Sequence, residues 1–515
     1  MDRPEKNEPS RLSVNGHKLA EELLAEYSLR AAAGPDAKES ADREATRYLS
    51  AATQINVDYA RNVVDSVVNE QLRALAPTFG VDVPVVVRWA MKAIRTRSIR
   101  DYSLTATLAL QLLSIAILIL WWRWAWTCFL LLLATAWLVV SWDYHDRIHN
   151  SVTAKMLWDR FKPEEAPTPR RKADRDRLGA IAGRRDGNLV VFSGHSAFIG
   201  SGELMYRQRL LLDISGRKGA IGDPDKQPED FTSRDLYAAI VAAFDREQGL
   251  GKSLDNIRAY ERLFVNGRHI QSDRHLLPDP LRPPPTSVDS FLLHAAAVNP
   301  SPEARTYVCV EMPGWQGQLV VTLFIRAVYA GKSLYVEWTF RVLPPIRSEF
   351  LVIDRFYELP KYLQLKDSMA SGLRTLIPAL LESPVHSFCS WRRPRAARRL
   401  HNRNMYAINR GYIFDYGAHK SIREDASGDQ RQHYFLARDE AMYVLLAQQT
   451  LIRTVGDFLE KHGVDLDQFK DQVKVIFDQS ITYNIGDITD SSGIVVGNRS
   501  SATVGDTRRG QSEPR

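Results

Sequence analysis

Cysteine is scarce in this chain: Cys128, Cys309 and Cys389 are the only three in 515 residues. An odd, widely spaced trio builds no disulfide framework and has no C-x-x-C spacing for zinc. Three free thiols in a reducing compartment are expected. Residues 1–16, MDRPEKNEPSRLSVNG, lack an apolar core, so no secretory signal is expected there and the segment reads as disordered. A strong excess of one charge is also lacking. With 68 Lys and Arg against 61 Asp and Glu, net +7, only local clusters of charge are informative. Hydrophobic residues make up 44% of the chain and charged residues 25%, which excludes a wholly disordered protein and allows a sizeable core.

One stretch lacks charge almost entirely. From Leu104 to Trp142 the sequence runs LTATLALQLLSIAILILWWRWAWTCFLLLLATAWLVVSW, with Arg123 its one ionic residue. A single helix of that length would measure roughly 58 Å, nearly twice the ~30 Å hydrocarbon core. Two short spans fit instead, Leu104–Leu120 and Thr127–Trp142. Tryptophan favours the membrane interface, and arginine is costly at mid-membrane. The turn is therefore expected at 121–126, with Trp121, Trp122, Arg123, Trp124 and Trp126 at the far headgroup layer. Arg88, Lys92, Arg95, Arg97 and Arg100 precede the pair, and Arg147, Lys155, Arg160 and Lys162 follow it. The positive-inside rule then puts both termini in the cytoplasm, at the inner (plasma) membrane. A receptor with an external domain does not fit, and neither does a pore.

The flanking regions read as helical. Residues 17–103 carry HKLAEELLAEYSLRAAA and a second run, REATRYLSAATQINVDYARNVVDSVVNEQLRALAP, in helical register until Pro77 and Pro84. VPVVVRWAMKAIRTRS reads as a basic amphipathic approach to the bilayer. Residues 143–185 read as a juxtamembrane helix and a charged linker. Residues 186–385 read as a cytoplasmic α+β domain. NLVVFSG, YVCVEM, GQLVVTLFIRAVYA and SLYVEWTFRVL are strands by β-branched and aromatic content, with AGKS as a turn and Asn266-Gly267 as a hairpin signal. Helices are expected at Ser233–Gln248 and Ser287–Val298. Residues 386–480 hold a basic segment and helices, and residues 481–515 a glycine-rich, β-repeat-like tail with a disordered end. The fold class expected is thus an α+β multidomain membrane protein with a two-helix transmembrane hairpin.

Chemistry-bearing motifs are weak. GHSAF lacks the closing glycine of a nucleophile elbow, since that position is Phe198. Gly331-Lys332-Ser333 lacks the phosphate-loop glycine, replaced by Arg326. His145 and His149 have metal-compatible i, i+4 spacing without a third ligand, and read as interfacial histidines. Glu311 and Glu337 on neighbouring strands could do acid–base work, though solvent-facing strand carboxylates are commoner. No metal and no cofactor is expected. Seven arginines lie between Arg392 and Arg410. Arg392, Arg393, Arg395, Arg398 and Arg399 read as a solvated basic linker, or as a surface for anionic lipid headgroups or nucleic acid. In the tail, NIGDIT, VVGNRS and TVGD echo one another, which favours self-association through residues 481–505.

Several stretches together resemble a family of uncharacterised actinobacterial proteins with a paired transmembrane segment. They are TRYLSAATQINVDYARNVV with APTFGVDVP, RSIRDYS before the apolar run, GNLVVFSGHSAFIGSGE, RLFVNGRHI, YVCVEMPGWQGQLVVTLFIRAV, SLYVEWTFRVLPPIRSEF and FDYGAHKSIRE. The resemblance spans about residues 45–505 and implies the architecture, with no catalytic residue attached. The sequence is read as a membrane-anchored cytoplasmic scaffold or sensor, not an enzyme. His195, Ser196 and an exposed Trp315 form its expected recognition surface. An enzyme acting on a membrane-proximal or phosphorylated substrate through Glu311, Glu337 or His195 is the alternative, as is binding of anionic lipid or nucleic acid.

Overall fold

The computed structural model describes residues 37–118, 122–182, 187–214, 231–247, 257–428 and 434–486. The fold is mixed α+β. Helix α1 (Ala37–Ile55) ends where Asn56 interrupts it. The Asn56 side chain accepts from the N–H groups of Asp58 and Tyr59, at 3.0 Å each, and so caps the start of α2 (Val57–Val64). The single helical run expected over this region is therefore two helices separated at Asn56.

Helix α3 spans Val83–Leu118, and α4 spans Trp122–Tyr144 before continuing as a π-helical segment, His145–Thr153. The turn expected at 121–126 is thus already helix from Trp122 onward, and Trp121 lies outside the described residues. The two helices pack together through Leu104, Ala136 and Val140. Among the described residues, one helix is long and apolar enough to cross a membrane, Trp126–Thr153. The first half of α3 packs within the protein. Val85, Val86, Val87, Trp89, Ala90 and Ala93 are buried against α1 and α2, because the apolar face there meets protein rather than lipid.

After a short helix α5 (Lys172–Ala182) comes the sheet: β1 (Leu189–Phe192), β2 (Glu203–Asp213), helix α6 (Ser233–Glu247), β3 (Arg258–Asn266), helix α7 (Ser290–Val298), β4 (Ala304–Gly314), β5 (Leu319–Ala330) and β6 (Ser333–Leu343). The strand order is β1-β3-β4-β5-β6-β2. β1 runs parallel to β3, and the other pairs are antiparallel. The AGKS stretch is the β5–β6 hairpin turn expected, with Gly331 at φ +62° supplying the left-handed residue. Asn266-Gly267 makes no hairpin. It ends β3, and Gly267 donates to the Phe192 carbonyl of β1 at 2.9 Å while lying against Gly417.

Helix α8 (Lys361–Asn409) follows, then α9 (Tyr434–Lys461) and α10 (Asp467–Gly486). One sheet face, including Val308, Val310, Leu323, Ile325, Val336 and Trp338, packs on α6 and α9 in the main core. A second core joins α1, α2 and α3 to Phe161, Phe350, Ile353 and Ile422. Residues 481–486 are helical as the end of α10, where a β-like tail was expected; the rest of that tail lies outside the described residues.

Candidate functional site

The glycine-rich loop after β1 is built for packing. Phe198 is buried on the second face of the sheet among Phe264, Tyr307 and Phe324. Beyond it, the backbone N–H groups of Gly200 and Gly202 donate to the Glu424 carboxylate at 2.9 and 2.8 Å. Both glycines have positive φ and sit directly against backbone, so a side chain is excluded there twice over. Burial pushes the Glu424 carboxyl above its usual range, opposed by those two N–H donors and by Arg341 and Arg423. His195 and Ser196 stand exposed at the loop's tip. Trp315 is not exposed as expected. It is half-buried with φ 51°, and its indole N–H donates to Asp439 on α9 at 2.8 Å.

The two strand glutamates do not meet. Glu311 lies opposite Thr322, and Glu337 opposite Arg326, four residues further along β5. Two strands across and four residues along is a separation of about 16 Å. Each is matched to an arginine instead: Glu311 to Arg262 at 3.7 Å and Glu337 to Arg326 at 3.2 Å. Tyr307 and Tyr335 also donate to Glu337, at 3.2 and 3.1 Å. His145 and His149 bond to Ser368 and Asp367 of α8 at 3.1 and 3.2 Å. No cluster fit to hold a metal is present among the described residues.

The basic segment read as a linker is helix. It forms the C-terminal half of α8, which continues through Pro378, Pro384 and Pro394 for 49 residues. Arg392, Arg393, Arg395, Arg398 and Arg399 are all exposed on it. Arg395 stacks on the Trp391 ring at 4.1 Å. Arg393 lines a cleft.

That cleft lies between α8 and the segment following α2. It comprises two adjoining cavities of about 580 and 330 Å³ that share Glu70, Gln71, Arg73 and His401. The first adds Asp65, Arg393 and Phe414, and the second adds Arg177 and Arg282. Four arginines from four separate parts of the chain thus line the two cavities, with Arg73 in both. Their counter-charges are distant or peripheral: Arg73 to Glu70 at 3.8 Å, Arg393 to Asp65 at 4.0 Å, and Arg282 to Asp279 at 3.3 Å. Arg177 donates to the Glu70 carbonyl at 2.9 Å, and burial draws its guanidinium below the usual arginine range against the pull of Asp174. Arg73 Nη1 is buried without a hydrogen-bond partner. Such a site attracts anions and offers them hydrogen-bond donors.

Residues 208–490 match the AbeC-like domain. The chain belongs to the AbeC-like domain family. No curated protein and no solved structure matches it. The AbeC-like domain begins within β2 and extends past α10, so it contains Arg282, Arg393 and His401 of the cleft and all of α8. Arg73, Arg177, Phe198, β1 and the α3–α4 pair lie outside it. The cleft is therefore completed by the N-terminal region. Sequence reading missed Arg73, Arg177 and Arg282, because no local spacing links residues so far apart in the chain.

Proposed function

We propose that this protein is a membrane-anchored scaffold or sensor, with α3 and α4 crossing the inner membrane as a pair and both termini cytoplasmic. One observation supports a paired crossing, with both flanks on the same side. The second core is built from chain on both sides of the apolar stretch: Leu49, Val63 and Val86 precede it, and Phe161, Phe350 and Ile422 follow it. A single crossing would leave these halves on opposite sides of the bilayer and abolish that core. Lipid contact is supported by the large apolar side chains left exposed on the pair, including Leu110, Leu112 and Leu113 on α3 and Leu130, Leu131 and Leu138 on α4. Soluble monomers rarely expose so large an apolar surface.

Below the apolar part lies a buried ionic ring. Asp143 takes Arg147, Arg97 and Arg100 at 2.9, 3.2 and 3.6 Å. Asp101 is bound by Arg100 at 2.6 Å, with His386 of α8 at 3.9 Å. Charge of this density suits the headgroup level rather than the hydrocarbon. The cytoplasmic α+β domain, held at the inner leaflet by this base, would recruit partners, and residues 481–505 would join subunits.

The topology is tested with a membrane-impermeant maleimide on intact cells, in a Cys128→Ala, Cys389→Ala background. Arg123→Cys should label from outside, whereas Asp58→Cys and Arg392→Cys should label only after lysis. External labelling of Asp58→Cys would mean a single span. The scaffold reading is tested by the mass of the detergent-solubilised chain with and without residues beyond Ser480. Equal mass, with an unchanged set of co-purifying proteins, would remove the tail from that role.

A further inference from the structure

We propose that the cleft between α8 and the segment following α2 is a binding site for a phosphate-bearing anion with an apolar portion. The charge pattern points there first. Arg73, Arg177, Arg282 and Arg393 line the two adjoining cavities, against Asp65 and Glu70 alone among the acids that line them. Ion pairs at 3.8 and 4.0 Å are too long to be strong hydrogen bonds, so these guanidiniums keep donor capacity. Arg73 makes the point sharply. It lines both cavities, and its Nε stands 3.8 Å from Glu70.

The geometry favours phosphate over carboxylate. A planar carboxylate is gripped by one or two arginine forks, whereas a tetrahedral phosphate takes donors from several directions. Here Arg73 and Arg393 line the larger cavity, and Arg73, Arg177 of α5 and Arg282 of the 281–284 turn line the smaller. The apolar portion follows from the remaining walls: Leu72, Leu400 and Phe414 line the larger cavity. Phe414 also lies beneath Arg73, ring centroid 5.6 Å from the guanidinium carbon. The combined space is that of a small-molecule site. The same chemistry describes a membrane phospholipid's headgroup with its first chain atoms, or a soluble phosphorylated metabolite. The lipid source rests on the membrane reading above; the soluble source does not.

The experiment uses the full chain in non-ionic detergent, which makes the outcome independent of topology. Binding of inorganic phosphate, glycerol 3-phosphate, dioctanoyl phosphatidic acid and dioctanoyl phosphatidylcholine is measured by calorimetry at fixed salt. Saturable binding of the phosphomonoesters is expected. Arg393→Gln and Arg282→Gln, both at exposed positions that leave the fold intact, should each weaken it about tenfold or more. Arg392→Gln and Arg398→Gln, on the same helix but outside the cleft, should leave it unchanged. Tighter binding of dioctanoyl phosphatidic acid than of glycerol 3-phosphate identifies the lipid source, and equal binding the soluble one. The proposal is overturned if no phosphate probe binds saturably. It is also overturned if Arg392→Gln weakens binding as much as Arg393→Gln, or if phosphatidylcholine binds as well as phosphatidic acid.

Discussion

Phe198 lies flat against Phe324, with ring centroids 4.1 Å apart and planes 23° from parallel. Edge-on contacts to Phe264 and Tyr307 at 5.4 and 5.1 Å complete an aromatic box over Cys309, which is fully buried. The loop that resembles a nucleophile elbow is thus a lid on the sheet. Phe198→Ala should cost about 3–5 kcal/mol in urea unfolding. His195→Ala and Ser196→Ala should stay within about 0.5 kcal/mol, as exposed substitutions do. Burial pushes the Cys309 thiol up to about 12, so it should resist maleimide in the parent and react faster in Phe198→Ala. A stable Phe198→Ala with an inert thiol would refute the lid.

Glu424 gives a pH prediction with a definite sign. Its folded-state pKa is raised above the ordinary 4.5, mainly by burial. Folding then favours the protonated carboxyl, so this group costs stability as pH rises from about 4.5 through the folded value, and the cost is constant above that. Glu424→Gln keeps an oxygen to accept from Gly200 and Gly202 but cannot ionise. It should flatten the fall in stability over that window, measured as midpoint against pH. An unchanged slope would assign the effect to another group.

The sequence made β1, β4, β5 and β6 legible and the edge strand β2 not. In β5, Val321, Leu323 and Ile325 join the main core, while Phe324 packs on the second face, so the strand reads as a continuous apolar run. β2 was missed: it is an edge strand with Arg207 and Arg209 alternating with Gln208, and its register shifts between Leu204 and Tyr206. The continuity of α8 was hidden by Pro378, Pro384 and Pro394, which ordinarily end helices. Packing against α3 and α4 carries the helix through, as where Gly372 abuts Ser141 and Ser387 bonds Thr105 at 2.8 Å. The candidate site was the least legible part. Arg393 was picked out by its neighbours in sequence, but what distinguishes it from Arg392 is proximity to Arg73, a property of the fold alone.

Trp315 tests whether the PGWQG turn is a structural clasp. Its N–H binds Asp439, and a Cβ on neighbouring Gly314 would collide with the Tyr443 ring at 2.7 Å. Trp315→Phe keeps most of the ring packing and removes the hydrogen bond to a charged acceptor, which should cost about 1.5–3 kcal/mol. Asp439→Asn, which keeps an acceptor, should cost less. If Trp315→Phe is neutral in unfolding yet removes a co-purifying partner, the indole serves recognition instead.

Asp143 gives the sharpest test of how the α3–α4 pair is joined to the rest. Its side chain is 1% exposed and shared by Arg97, Arg100 and Arg147. Arg147 also donates to the Gln54 carbonyl at 3.0 Å, which links the ring to α1. Neutralising the carboxylate would leave three guanidiniums converging without their common counter-charge, a situation that typically costs about 3–5 kcal/mol. Asp143→Asn should therefore unfold well below the parent in detergent. Asp146→Asn, whose partner Lys92 is 3.6 Å away and a quarter exposed, should fall by about 1 kcal/mol or less. The difference isolates buried from screened charge, because both residues sit within one turn of the same helix. Equal effects would mean that the ring is solvated, and that apolar contacts such as Leu104 against Val140 hold the pair alone.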